Sequence, residues 1–227
     1  MSWHNMALVR IARATAHRNV IRLVNMNEGS KIDIPVILSQ VTYLEMVRDP
    51  HAQPVDLGKF SMRRVENMSV GDYLDIYREV GRDYLWNYRP GQSTEEIKAI
   101  LTSPAIWMYL LFADDQAVGM AELDATNPDD IELVHFGLLP RFLNQGIGKL
   151  FLHNIISLVW KSGVRRMWLS TCGMDHPKAI RFYEAAGFVP FKTRMGEFKD
   201  WRFTGFYDMA DAPQIPYGKR PSGEEPR

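Results

Sequence analysis

Gly146 and Gly148 stand where an apolar run, residues 131–139, gives way to a helical pattern, and this arrangement suits the binding of a phosphate group. The first backbone N–H groups of a helix have no partner within it, so they can hold an anion. A glycine has no Cβ atom, which lets a phosphate approach the backbone closely. The residue types therefore predict an anion site formed by the N–H groups of residues 144–149.

Other glycine turns bind phosphates, and two of them do not fit this chain. A P-loop places a hydroxyl side chain after its lysine, whereas Leu150 follows Lys149 here. A dinucleotide-binding turn has a third glycine three residues after the second, where this chain has Phe151. A short Gly-x-Gly is weak by itself, so an ordinary strand-to-helix loop stays open as the alternative.

A carboxylate that could act as a base lies in the strand before this turn. Glu132 is flanked by apolar residues, and desolvation there would raise its pKa towards that of a useful general base. The alternation of a strand places it on the same face as Leu138, unless a bulge intervenes. The structural alternative is a carboxylate at a strand edge or in an ion pair with a nearby arginine, and Glu122 on the preceding strand is the competing carboxylate.

The rest of the chain supplies the elements that position these groups. Apolar runs and turn residues predict strands at 36–47 (one or two strands), 59–65, 107–112, 116–123, 131–139, 166–169, 188–193 and 201–209. Helices are predicted after Ser69, after Ser93 in a capping box with Glu96, after Gly148 and from Pro177. The order predicts a mixed α/β (α+β) fold with a central sheet flanked by helices. We expect an N-terminal extension at 1–58, a main domain at 59–210 and a flexible tail at 211–227.

Composition excludes several classes of protein. Lys+Arg and Asp+Glu are both 27, so a nucleic-acid partner is not expected. No apolar run approaches the length of a membrane span. His135, His176 and Asp175 show no recognised ligand spacing, so no metal is expected. Cys172 is more consistent with a small buried residue than with a nucleophile.

Two features of the sequence bear on the cellular compartment, the single cysteine and the composition of residues 1–27. One cysteine suits a reducing compartment, so we expect a cytoplasmic protein. Residues 1–27 carry four arginines and no acidic residue, which is also typical of a mitochondrial transit peptide. Localisation in the mitochondrial matrix, an ordinary N-terminal segment and a misassigned start therefore stay open.

Two motifs together resemble a known family. Residues 130–140 (Asp-Ile-Glu-Leu-Val-His-Phe-Gly-Leu-Leu-Pro) and 144–150 (Asn-Gln-Gly-Ile-Gly-Lys-Leu) resemble the acyl-CoA-binding motif of the GNAT N-acetyltransferase superfamily. Residues 179–188 (Ala-Ile-Arg-Phe-Tyr-Glu-Ala-Ala-Gly-Phe) resemble the second signature of that family. The resemblance covers roughly residues 60–208. It implies a GNAT-like fold and direct transfer of an acetyl group from acetyl-CoA, as co-substrate, to a primary amine.

The resemblance also implies which residues bind the donor. Leu138 and Leu139 match strand positions that present backbone groups to the pantetheine arm, and the N–H of Leu138 is the expected oxyanion donor. Leu143 replaces a frequent arginine or glutamine, and His176 replaces a frequent asparagine. The predicted acetyl-CoA-binding residues are Leu138, Leu139, Asn144, Gln145, Gly146, Ile147, Gly148, Lys149, His176 and Ala179.

Catalytic and acceptor-binding roles follow from the same resemblance. Glu132 matches the catalytic glutamate of some members, and Tyr183 matches the tyrosine near the thioester sulfur, so they are the expected base and acid. Trp86, Tyr88 and Arg89 would bind a small-molecule or peptide amine, with an acidic portion facing Arg89. Related enzymes are often homodimers. A non-catalytic acyl-CoA-binding or protein-interaction module is the alternative, which the departures at residues 143 and 176 favour.

Overall fold

The computed structural model describes residues 33–220, so the targeting prediction for residues 1–27 lies outside the described part. The strands are β1 (Val36–Met46), β2 (Phe60–Arg64), β3 (Ile106–Ala113), β4 (Gln116–Asp124), β5 (Asp130–Leu138), β6 (Arg166–Cys172) and β7 (Val189–Lys199). The α-helices are α1 (Val70–Gly81), α2 (Thr94–Thr102), α3 (Ile147–Lys161) and α4 (Ala179–Ala185).

The strands form one mixed sheet in the order β2-β3-β4-β5-β6-β1-β7. Only the β5–β6 pair is parallel among these strands, and the other neighbours are antiparallel. Helices cover both faces of the sheet. The predicted fold class, a mixed central sheet flanked by helices, is confirmed.

Local capping starts the first two helices where the sequence predicts. The Ser69 side chain accepts a hydrogen bond from the N–H of Asp72, 3.1 Å away, at the start of α1. Ser93 and Glu96 form the expected capping box, with donor–acceptor distances of 3.2 and 2.6 Å. The cap and the capping box both satisfy backbone N–H groups that a helix start would otherwise leave unpaired.

The N-terminal strand lies inside the sheet. Val36–Met46 form the single strand β1, which pairs antiparallel with β6 on one side and with β7 on the other. Part of the predicted N-terminal extension therefore contributes a strand to the same sheet as residues 59–210.

The prediction of a strand at Trp201–Met209 is wrong. A 3₁₀ turn covers Trp201–Thr204, and the preceding Asp200 accepts a hydrogen bond from the N–H of Arg202 at 3.2 Å. The same carboxylate pairs with the Arg202 guanidinium at 2.8 Å, and both side chains are buried. Local side-chain hydrogen bonds of this kind compete with strand pairing, which explains the difference.

The same ion pair orders residues 211–220, which the sequence predicts as part of a flexible tail. Arg202 donates to the carbonyls of Ile215 and Pro216 at 3.1 Å each, and Asp200 accepts from the N–H of Gly218 at 2.9 Å. The Ile215 side chain is buried. This segment is therefore hydrogen-bonded to the buried turn, and residues 221–227 lie outside the described range.

Aromatic contacts show which helix covers which face of the sheet. His135 and Phe136 are consecutive on β5, so their side chains point to opposite faces. His135 packs against Tyr77 of α1, with ring centroids 5.1 Å apart. Phe136 packs against Phe151 of α3 at 5.1 Å and Phe182 of α4 at 6.0 Å. β5 is thus enclosed between α1 and the α3–α4 layer. Within residues 33–220, no helix combines the length and apolarity that crossing a membrane requires.

Replacement of Asp200 by alanine is expected to lower the free energy of unfolding by about 3–5 kcal/mol, because it leaves the buried Arg202 charge without its partner. Asp208→Ala is the matched control, since Asp208 is exposed and its loss should change stability by less than about 0.5 kcal/mol. Urea unfolding measures both variants. Equal stability of the two would contradict the assigned ion pair.

Candidate active site

A cleft opens where β5 and β6 stop pairing. Their parallel register includes Asp130–Arg166 and ends at the pair Glu132–Trp168. Beyond this point the two strands form part of the wall of a cavity of about 950 Å³. Six consecutive β5 residues, 133–138, line it, together with residues 170–172 of β6. The separation of the two strands therefore exposes the backbone of β5 to the cavity.

Backbone amides of β5 point into this cleft. The N–H of Leu139 donates to the carbonyl of Val118, 2.8 Å away on the β4 side. Successive N–H groups of a strand alternate in direction, so the N–H groups of Leu138 and Phe136 point towards β6. The β6 register does not reach either residue. The N–H of Leu138, the predicted oxyanion donor, therefore points into the cleft. The N–H of Phe136 points the same way. It was not predicted, although the alternation of a strand places it two residues from Leu138 on the same edge.

The glycine turn closes one end of the cavity. Gly146 has a φ of 79° and precedes α3, and a Cβ atom there would meet nothing within 4 Å. The N–H of Lys149 bonds back to the Gly146 carbonyl at 3.1 Å. The amides of residues 147 and 148 precede the first intrahelical donors of α3 and remain able to bind an anion. This geometry fits a diphosphate held by main-chain amides.

Most of the predicted acetyl-CoA-binding residues share this cavity. It is lined by Leu138, Asn144, Gly146, Gly148, Lys149, His176 and Ala179. Three predicted residues do not line it: the Ile147 side chain is buried, Gln145 donates to the Arg141 carbonyl, and the Leu139 amide is used by β4.

Three cations lie at the cavity without having been predicted, and one of them is Arg194 of β7. Lys178 and Arg181 line it beside the predicted Lys149. Lys178 and Arg181 could have been predicted from the sequence, because they lie beside Ala179 at the start of the second motif. Their charges suit a polyanionic ligand.

Tyr183 lies on α4 and lines the cavity. Its ring packs edge-on against Phe182 at 5.3 Å and Phe188 at 6.1 Å. Burial, and then the neighbouring Asp175, raise the pKa of the Tyr183 phenol above its usual value. The phenol is therefore protonated at neutral pH and can donate.

Glu132 and Leu138 lie on opposite faces of β5, contrary to the face predicted from alternation. The register pairs Glu122 with His135 but Leu123 with Leu133, so a bulge at residue 134 breaks the period. Glu132 therefore faces the α1 side, whereas Leu138 faces the α3–α4 side. The extra residue of a bulge shifts every following side chain to the other face.

Glu132 is nevertheless poised to exchange a proton near neutral pH. Burial, followed by the charges of Asp124, Asp130 and Glu122, raises the pKa of the Glu132 carboxyl to about 7. The side chain is half-buried at the last β5–β6 pair and does not itself line the cavity. Glu132 therefore lies where the cleft begins.

The competing carboxylate, Glu122, is fully buried in a polar network on the α1 face. It forms an ion pair with Arg89 and accepts from the Tyr73 hydroxyl at 2.6 Å. The His135 Nδ1 lies 3.1 Å from Oε2 of Glu122, the same oxygen that accepts from Tyr73. Burial alone would raise the pKa of Glu122, but His135, Arg89 and Tyr73 lower it to about 2. Glu122 is thus held ionised.

Arg89, the third predicted acceptor residue, is bound within the same polar network. Its guanidinium is buried, bonded to Glu122 and, through Nε, to the Tyr73 hydroxyl at 2.7 Å. A cation satisfied in this way is not available to an acidic portion of a substrate. The long-range partner Glu122, on β4, was not visible from the sequence.

Trp86 and Tyr88, the other two predicted acceptor residues, do line the cavity. Their ring centroids lie 5.1 and 5.6 Å from that of His135. The Trp86 carbonyl accepts from the Tyr207 hydroxyl at 2.8 Å, which ties it to the C-terminal segment. A Cβ atom at Gly137 would clash with Val80 and lie 3.3 Å from the Trp86 ring, so this glycine permits their close packing on β5.

Other reactive groups of the site are less suited to chemistry. Burial, and then Asp175, raise the pKa of the Cys172 thiol to about 11, so it is not a thiolate at neutral pH. No group of three or more His, Cys, Asp or Glu side chains that could hold a metal is found in the described part of the chain.

Comparison with solved structures shows a shared fold. A functionally unknown conserved protein from Staphylococcus epidermidis is 19% identical with a TM-score of 0.51, covering 73% of this chain and 63% of that one. A putative GNAT-family acetyltransferase from Novosphingobium aromaticivorans is 16% identical with a TM-score of 0.53, covering 74% and 66%. A GCN5-related N-acetyltransferase from Sphaerobacter thermophilus is 15% identical with a TM-score of 0.52, covering 73% and 53%.

The chain thus spans less than two thirds of the length of these structures, and at such identities they establish the fold alone. No curated protein matches the chain. The model of the Acetyltransferase (GNAT) family, however, matches residues 73–188, just over half of the chain. This span contains most of α1, the strands β5 and β6 beside the cleft, the glycine turn and the motif around Tyr183, which confirms the resemblance. The chain therefore belongs to the GNAT family of acetyltransferases, which are acyltransferase enzymes.

Proposed function

We propose that this protein transfers an acetyl group from acetyl-CoA to the primary amine of a small-molecule or peptide acceptor. The observation that carries the proposal is the cleft between β5 and β6, with free β5 amides along one side and the glycine turn at its end. The amine nitrogen attacks the thioester carbonyl carbon, a C–N bond forms and the C–S bond breaks. A base removes a proton from the amine, and an acid protonates the departing thiolate.

Donor binding rests on main-chain groups. The N–H groups of residues 144–148 and the N-terminal end of the α3 dipole would hold the diphosphate. The side chain of Lys149 lies on the same wall. The pantetheine arm would replace β6 as the partner of β5 and accept hydrogen bonds from its exposed amides. Leu143, which replaces a polar residue of the usual motif, removes no main-chain donor.

Amides of β5 would also stabilise the developing oxyanion. The N–H of Leu138 is the proposed donor, and that of Phe136 points into the same gap. A fixed donor aimed at an oxyanion accelerates acyl transfer by about 10²–10³-fold. Because these amides belong to a strand fixed by β4 on its other edge, they need no reorganisation during the reaction.

Proton transfer is assigned to two groups with perturbed pKa values. Glu132 is the proposed base, since its pKa of about 7 lets it accept a proton at neutral pH. Tyr183 is the proposed acid and remains protonated until the thiolate departs. Trp86 and Tyr88 would bind the acceptor. We further propose a cytoplasmic location, which suits the single Cys172, and a homodimer remains the expected assembly.

A non-catalytic acyl-CoA-binding module is the second candidate, favoured by Leu143 and His176 at positions where the usual motif has other residues. The two functions differ in one measurable result. Incubation with acetyl-CoA and a panel of amines should release free CoA if the chain is an enzyme. Binding of the coenzyme with no release of free CoA in the presence of any amine of the panel would favour the module instead.

Gly146→Ala is expected to weaken CoA binding by about tenfold or more, because a residue with a Cβ resists the φ of 79° and shifts the turn amides. Gly163→Ala is the matched control. Gly163 has a φ of 83° just after the same helix, and its Cβ would also meet nothing within 4 Å. Both variants should lose about 1 kcal/mol of stability. Titration calorimetry should show a weakened Kd for the first variant only, and equal affinities would contradict the proposed diphosphate site.

Glu132→Gln is expected to lower kcat/KM by about 10²-fold or more above pH 7. A base works in its ionised form, so the Glu132 contribution should be small well below its pKa of about 7 and reach its full value above it. The ratio of wild-type to variant kcat/KM should therefore rise with pH through about 7, and taking the ratio cancels the titration of the amine. Exposed Glu66→Gln is the control, with a ratio near one at every pH. A pH-independent ratio for Glu132→Gln would contradict its role.

A further inference from the structure

His135 carries a buried nitrogen that the proposed mechanism does not yet use. His135 is one of the residues that line the cavity, and it is only 4% exposed. Nε2 has no hydrogen-bond partner within residues 33–220. A buried polar atom left unpaired costs about 1–3 kcal/mol, so such an atom beside a cavity calls for a functional explanation.

The hydrogen bonds of the network fix the tautomer of this ring. Glu122 is ionised, so its Oε2 can only accept, and the proton between it and His135 must lie on Nδ1, 3.1 Å away. Nε2 therefore holds the lone pair of a neutral imidazole. Burial lowers the pKa of His135 below its usual value, which keeps the ring neutral and able to accept.

Charged and titratable groups face His135 from every side. They are Tyr73 and Tyr77 of α1, Tyr88 and Arg89 of the segment before α2, Glu122 of β4 and Asp175 of the loop after β6. The carboxylate of Glu122 is the one in direct contact. It would stabilise the positive charge that the ring gains on protonation, while Arg89 keeps Glu122 itself from taking the proton.

Position along β5 separates His135 from Glu132. At about 3.3 Å per residue, Glu132 lies roughly 20 Å from Leu138 along the strand, and His135 roughly 10 Å. A glutamate side chain does not span the longer distance. A proton that leaves an amine near the oxyanion site therefore needs a nearer first acceptor, and His135 lies on the route between the two positions.

We propose that Nε2 of His135 contacts the acceptor amine and takes its proton during attack, with Glu122 as the positioning residue that fixes the ring. This inference rests on the proposed acetyl transfer. As the C–N bond forms, the N–H electron pair stays on the amine nitrogen and the proton moves to Nε2. His135 then passes it through cleft water to ionised Glu132, which releases it to solvent. Tyr183 protonates the thiolate and is reprotonated from solvent.

Kinetics of His135→Gln in the full chain test this assignment, with acetyl-CoA and an amine that the wild-type protein acetylates. We expect kcat to fall about 10²-fold or more, since general base catalysis contributes that much. The Kd for CoA should stay unchanged, and the residual activity should keep the rise through pH 7 that Glu132 causes. The matched control is His153→Gln on α3, outside the cleft, which should keep the wild-type kcat. Wild-type kcat in His135→Gln would overturn the inference, whereas a wild-type protein that acetylates no amine would overturn the proposed function itself.

Nitrogen NMR of the imidazole groups keeps the inference testable if the variant does not fold. In the wild-type protein, we expect His135 to be neutral, protonated at Nδ1 and unprotonated at Nε2, and its Nε2 resonance to shift when the active amine is added. Glu122→Gln should lose the single tautomer and lower kcat together, a joint effect that a purely structural role would not cause. The assignment would be overturned if the wild-type ring were protonated at Nε2, or if the Nε2 resonance did not shift when the amine is added.

Discussion

β5 and β6 stop pairing after Glu132 and Trp168, and the rest of the candidate site depends on the gap that this leaves. A strand inside a sheet normally uses its N–H groups on both edges, and buried amides are rarely left unpaired. Here β4 fixes one edge of β5 while the other edge faces a cavity. The unpaired amides therefore require a ligand or water, and an amide-bearing pantetheine arm has the shape and polarity of a missing strand.

Two carboxylates on the α1 face show how the surroundings divide their roles. Glu122 has an arginine, a histidine and a tyrosine around it, and these partners hold its pKa at about 2 despite complete burial. Glu132 is partly buried beside other acids, and no cation within residues 33–220 offsets their effect, so its pKa rises to about 7. The first carboxylate stabilises the architecture around His135, and the second can exchange protons. Opposite environments thus separate a fixed charge from a titrating one.

Local patterns explain what the sequence could predict. The caps at Ser69 and Ser93, the glycine turn and the two motifs each lie within a few consecutive residues, and all of them appear in the structure. Features that depend on distant partners were missed. The bulge at residue 134 depends on the register against β4, and the burial of Arg89 depends on a carboxylate 33 positions along the chain. Periodicity carries no signal for either.

The C-terminal segment shows the same limit. Prolines and glycines between 211 and 220 are typical of a mobile tail, yet Arg202 binds the carbonyls of this segment from within the buried turn. That turn also supports the site, because Tyr207 donates to the backbone of Trp86. Composition describes a segment in isolation, whereas one buried guanidinium with several donors can order it.

Amide NMR of the protein during titration with acetyl-CoA tests the proposed use of the β5–β6 gap most directly. The N–H resonances of Phe136 and Leu138 should shift strongly and become protected from hydrogen exchange when the coenzyme binds. The amide of Leu139, already bonded to Val118, should keep its protection. Binding that leaves the Phe136 and Leu138 amides unchanged would contradict the placement of the pantetheine arm along β5.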